Sequence, residues 1–149
     1  MDEPTAAHWD REVLNQIWEE RMALCYKPLL LLSTCDHCDA EGRANVRTLA
    51  EYFSRFFQNR RETGKVEENP NRFPTGNLPS DRSLSQWEYE IRQEPLRRIS
   101  KDLLVDEDPT VCWAEDHWTS WSVGFKKALR NTAETRLIEY FETYVPGGY

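Results

Sequence analysis

The sequence predicts a mainly α fold: one compact helical domain with a small β hairpin. Two observations carry that expectation. Apolar residues recur at helical spacing in several stretches, whereas only Leu103 to Trp113 reads as a pair of strands. With 149 residues and 39% hydrophobic content, residues 1–149 are expected to form a single domain, because a chain of this length buries roughly two-thirds of the surface it exposes when unfolded.

Val13, Leu14, Ile17, Trp18 and Met22 lie at mostly helical spacings between charged residues, which predicts an amphipathic helix from Val13 to Cys25. Pro28 is tolerated in the first turn of a second helix, and Leu29 to Leu32 make that helix almost wholly apolar. It belongs in the centre of the core. Gly42 closes the turn after Asp36 to Glu41. Val46, Leu49, Tyr52, Phe53, Phe56 and Phe57 then mark the buried stripe of a third helix. Its other face carries Arg47, Arg55, Gln58, Arg60 and Arg61, so Tyr26 to Arg61 has the outline of a helix-turn-helix unit with an exposed basic edge.

From Thr63 to Ser85 the chain is rich in Gly, Pro, Asn and Ser, which predicts a long surface loop over about 63–85. A helical pattern resumes from Trp87 to Ile99, interrupted at Pro95. Leu103-Leu104-Val105 and Thr110-Val111-Cys112-Trp113 flank the acidic turn Asp106 to Pro109, and a hairpin there would be the wing of a winged helix. A last helix is expected from about Thr119 to Tyr144, with a break near Asn131-Thr132 and a stop at Pro146-Gly147-Gly148.

A net charge of -7 with 30% charged residues argues for a mainly acidic surface and against DNA binding by the surface as a whole. The sequence has no apolar run of the length that spans a bilayer, about 18 residues, and MDEPTAAHWDRE lacks the features of a secretory signal. A cytoplasmic location without membrane contact is therefore expected. Cys25, Cys35, Cys38 and Cys112 are read as reduced thiols in that setting.

Chemistry has few places to reside. Cys35-Asp36-His37-Cys38 has metal-ligand spacing, and Cys112 with His117 could complete a zinc site if the hairpin packed beside the second helix. The set is incomplete without that packing, and the favoured reading is that Cys35 ends a buried helix with no metal. His8, His37 and His117 are the available imidazole bases, and none lies in a nucleophile motif. The six glycines form no phosphate-binding loop. The expectation is a protein without enzymatic activity or cofactor.

The basic residues are the remaining candidates. Arg47, Arg55, Arg60 and Arg61 on the third helix, with Lys65 and Arg72 in the loop, are the expected contact residues for nucleic acid or for an acidic protein surface. Trp87, Trp118 and Trp121 are possible partner anchors, although burial is the commoner role of such residues.

Through YKPLLLL, the LAEYFSRFF helix and IRQEPLRRISKDLL with its hairpin, the chain from roughly Ile17 to Tyr144 resembles helical, winged-helix-type modules of bacterial restriction and anti-phage defence proteins. The resemblance implies a DNA-recognition or adaptor role, with cleavage carried by another domain. No His-Asn-His nuclease motif follows here, which implies an accessory protein or a fragment of a larger one, and the family supplies no catalytic residue. The expected function is an adaptor that binds a protein partner, such as a nuclease or other effector of the same system, with DNA as an optional second contact. A structural subunit of a multiprotein complex and an acidic DNA mimic are the alternatives.

Overall fold

A computed structural model describes residues 25–73, 78–99, 101–114 and 116–149. The first expected helix therefore lies outside the described residues, apart from Cys25. The elements are α1 (Tyr26–His37), β1 (Arg43–Asn45), α2 (Val46–Glu62), α3 (Leu84–Gln93), α4 (Pro95–Arg98), β2 (Leu104–Glu107), β3 (Thr110–Trp113), α5 (His117–Ser120) and α6 (Val123–Tyr144). Single 3-10 turns at Pro70–Arg72 and Pro79–Asp81 lie between α2 and α3. The fold is mainly α, with a small antiparallel sheet.

Helix α1 is buried on nearly every side. Leu29 to Leu32 sit in the core, and the hydroxyls of Ser33 and Thr34 return hydrogen bonds to the Leu30 carbonyl, so the buried polar groups are satisfied. The chain then reverses through a turn held by Asp39, whose Oδ1 accepts from the backbone N–H of Glu41 and of Arg43, each at 2.9 Å. Gly42 adopts φ 82° there, and a Cβ at this position would lie 2.5 Å from Trp118 Cβ. Both the backbone and the space demand glycine.

A strand not expected from sequence follows. β1 joins the outer side of β3, with Ala44 opposite Val111, and makes the sheet three-stranded in the order β1-β3-β2. The hairpin itself was expected, and Leu104 faces Trp113 in its register. Asn45 ends β1 and caps α2, its side chain accepting from Arg47 N. Along α2, Val46, Leu49, Ala50, Phe53 and Phe57 are buried, while Tyr52 and Phe56 are half-buried at the edge of the same stripe.

Two features of the segment 63–85 differ from a plain surface loop. Glu67 and Glu68 are buried, at 4% and 2% exposure, and tie the segment down. Glu67 accepts from the Ser80 N–H and hydroxyl, and Glu68 accepts from the backbone N–H of Cys25 and Asn69 and from the Tyr140 hydroxyl. Helix α3 starts with a reciprocal cap between Ser83 and Gln86. It ends where Pro95 begins the single turn α4, as the proline predicted. Trp87, on the inner face of α3, stacks on Phe57 at 5.4 Å and meets Tyr26 edge-on.

The last helix corrects another expectation. α6 begins after the Ser122 cap and runs through Asn131 and Thr132 without a break to Tyr144. Neither residue lacks a backbone N–H, and Ala133 and Leu137 bury the helix on either side of the next turn, so tertiary packing overrides a modest propensity loss.

Candidate interaction surface

The six predicted contact residues do not form one exposed basic face. Arg47 on α2 donates from Nη1 to Glu88 Oε2 on α3 at 2.7 Å. Arg61 does the same to Asp81 Oδ1 at 3.1 Å. Arg55 and Arg72 are exposed and make no ion pair among the described residues. Lys65 Nζ lies 5.9 Å from the Tyr149 ring centre.

Arg60 is the clear correction. It is 4% exposed, and its guanidinium donates to the carbonyl oxygens of Val66, Gly148 and Tyr149, each at 2.8 Å. Its Cζ lies 3.9 Å from the Phe141 ring centre. Burial lowers its pKa from the ordinary arginine value. This residue fastens the C-terminal segment to α2 and cannot touch a partner. An arginine in the last turn of a helix looks solvated in sequence, and only the return of residues 148 and 149 buries it.

The candidate metal ligands are likewise dispersed. Among the described residues no group of three or more His, Cys, Asp or Glu side chains is placed to hold a metal ion. Cys112 is buried on β3 with Thr110 Oγ1 at 3.6 Å. His117 Nε2 lies 3.1 Å from the Asp102 carbonyl, and its ring stacks on Trp121. Burial pushes the Cys35 thiol well up, and pushes Cys38 to about 11. Both are therefore protonated near neutrality, which is unfavourable for metal ligation and for nucleophilic attack.

The tryptophans proposed as anchors are occupied inside the fold. Trp87 is fully buried, and Trp118 and Trp121 are half-buried against Trp113, at ring distances of 5.8 and 5.3 Å. Among the described residues the most exposed aromatic is Tyr89, 66% exposed on α3. Sequence reasoning missed it, although its position was readable: two residues after Trp87 and two before Ile91, it must point away from the stripe those residues define.

Tyr89 lines an open groove of about 610 Å³ with Asp81, Arg82, Ser85, Gln86 and Glu90. Arg82, also missed, is half-buried in its floor. Its Nη1 donates to the Tyr26 hydroxyl at 2.8 Å, and its Cζ lies 4.7 Å from the Trp87 ring centre, with Phe73 at 5.8 Å. Beyond the groove, Glu94 follows the end of α3, and the hairpin turn adds Asp106, Glu107 and Asp108. Arg92 bridges the two by pairing with Asp106 at 3.0 Å and Asp108 at 3.3 Å.

No protein-family model, curated protein or solved structure matches this chain. No helix among the described residues is long and apolar enough to cross a membrane.

Proposed function

We propose that this chain is a non-enzymatic docking module that works by binding a protein partner, with duplex DNA contact disfavoured. The observation that carries the reading is the fate of the arginines. Of the α2 set, Arg60 is buried on backbone carbonyls and Arg47 and Arg61 are held by carboxylates. A phosphate-binding face needs several cations left for the phosphates.

If the order helix, strand, helix, helix, hairpin, with β1 added to the outside of β3, is read as the expected winged helix, α3 would be the helix offered to a major groove. Between Leu84 and Pro109 stand the acids Glu88, Glu90, Glu94, Asp102, Asp106, Glu107 and Asp108 against the bases Arg92, Arg97, Arg98 and Lys101. Such a surface repels phosphates. The acidic-mimic alternative is also weakened, because Glu88, Glu94, Asp106 and Asp108 are drawn to neighbouring arginines instead of forming an unopposed row. The setting in a bacterial defence system rests on the resemblance of the YKPLLLL, LAEYFSRFF and IRQEPLRRISKDLL segments alone.

Co-purification with the proteins encoded beside it, after nuclease treatment, tests the reading, paired with a duplex DNA titration across salt concentrations. We expect retention of a partner and no salt-steep DNA binding. DNA binding that an Arg55→Glu, Arg61→Glu double variant weakens and makes less salt-dependent would overturn it.

A further inference from the structure

We infer that the groove at the head of α3 receives a peptide segment of the protein partner through a single carboxylate side chain paired with Arg82. This deepens the docking reading and rests on it. The argument begins with a mismatch in an acidic protein. Arg47, Arg61, Arg92, Arg98 and Arg130 each have a carboxylate within ion-pair distance. Among the described residues Arg82 has none, although it is more sheltered than a solvated surface arginine.

Its guanidinium is held in place before any ligand arrives. Trp87 lies beneath it, Tyr26 and Phe73 flank it, and the Tyr26 hydroxyl takes one of its five N–H groups. Trp87 is itself fixed by stacking on Phe57. The planar fork therefore loses little freedom when a carboxylate binds it through two parallel hydrogen bonds. Ser85 and Gln86 supply hydrogen-bonding groups along the same groove, suited to the backbone of an extended peptide. Tyr89, on the next turn, adds a rigid ring to the same groove, and Arg and Tyr are among the residue types enriched at interface hot spots.

The two acids in the groove set the specificity. Asp81 is occupied by Arg61 and by the Leu78 N–H. Glu90 makes no ion pair among the described residues and stands beside Tyr89. It repels a second negative charge, so a uniformly acidic segment or a phosphate chain is rejected while one carboxylate followed by neutral or basic residues is accepted.

Short random peptides displayed on phage and selected on the purified protein test this. Wild-type protein should enrich peptides with one Asp or Glu followed by a neutral or basic residue. A synthetic copy of the winner should bind Arg82→Gln at least tenfold more weakly and Tyr89→Ala severalfold more weakly, and Glu90→Gln should newly accept peptides with consecutive acids. Tyr89 lies outside the core, so its variant remains informative if Arg82→Gln melts early. Winners without an acid, equal binding to Arg82→Gln, or no enrichment would each refute the assignment. Tighter binding of a phosphoserine version, or displacement by duplex DNA, refutes it in favour of phosphate. If a partner still co-purifies with both Arg82→Gln and Tyr89→Ala, the docking reading stands and this groove is not its site.

Discussion

Replacing Arg60 by methionine isolates a role that its place in a basic helix disguises. Methionine keeps much of the side-chain volume and removes the guanidinium, so three carbonyl acceptors lose their donors. Val66 and Tyr149 are exposed residues whose carbonyls regain water, whereas Gly148 is buried. One desolvated acceptor costs about 1–3 kcal/mol, and losing a cation over the Phe141 ring costs about 0.5–2 kcal/mol. The sum, about 1.5–5 kcal/mol, corresponds in a domain of this size to a fall in Tm of roughly 3–20 °C. Circular dichroism melting of Arg60→Met against wild type reads it, with Arg55→Met as the exposed control expected within about 0.5 kcal/mol of wild type. An Arg60→Met protein that melts with Arg55→Met refutes the clamp. So does one that loses partner binding without losing stability.

Three further outcomes follow from the same geometry. Gly42→Ala should destabilise by about 1–3 kcal/mol in urea unfolding, because alanine is strained at φ 82° and its Cβ meets Trp118; unchanged stability with unchanged tryptophan fluorescence would count against that contact. Glu68→Leu removes the acceptor shared by Cys25 N–H, Asn69 N–H and the Tyr140 hydroxyl, at a cost of about 2–4 kcal/mol, and a thermal melt matching wild type would show that the carboxylate is not needed there. Burial raises the folded-state pKa of Cys38 to about 11 and of Tyr52 to about 12. The unfolded chain therefore loses these protons first as pH rises, so stability is full below about pH 9 and declines toward pH 11–12. Alkylation of Cys38 at pH 8 should also be about two orders of magnitude slower than that of an ordinary thiol.

Much of the frame was legible because it rests on periodicity and backbone chemistry. The α2 stripe, the apolar α1, the stop at Pro95 and the turn at Gly42 follow from side-chain spacing and from what proline and glycine permit. β1 was not legible, since Arg43-Ala44-Asn45 has no strand pattern of its own. Those residues are extended because the outer edge of β3 offers them hydrogen bonds, at a separation of more than sixty positions in the chain. Buried Glu67 and Glu68 were hidden for a related reason: a carboxylate reads as solvated until Ser80, Cys25 and Tyr140 are brought to it. The contact surface suffered most. The sequence places cations along a helix but says nothing of which acids will face them.

That pairing changes what the arginines mean. Arg47 ties α2 to α3, Arg92 ties α3 to the hairpin, Arg130 ties α6 to the end of α1, and Arg60 ties α2 to the C-terminal segment. The exposed pairs each stabilise by less than about 1 kcal/mol, so their main consequence is directional: they set how α3 sits on α2 and how the hairpin sits on α3. A helix fixed at both faces presents its remaining side chains in constant geometry, which lowers the ordering cost of binding. The groove at the head of α3 gains from this arrangement. Asp81 is already drawn to Arg61, which leaves Arg82 as the sheltered cation of the groove without a carboxylate, next to the most exposed ring on α3. Arg82, held by Trp87 and the Tyr26 hydroxyl, is the pre-positioned guanidinium that the inferred peptide carboxylate would meet.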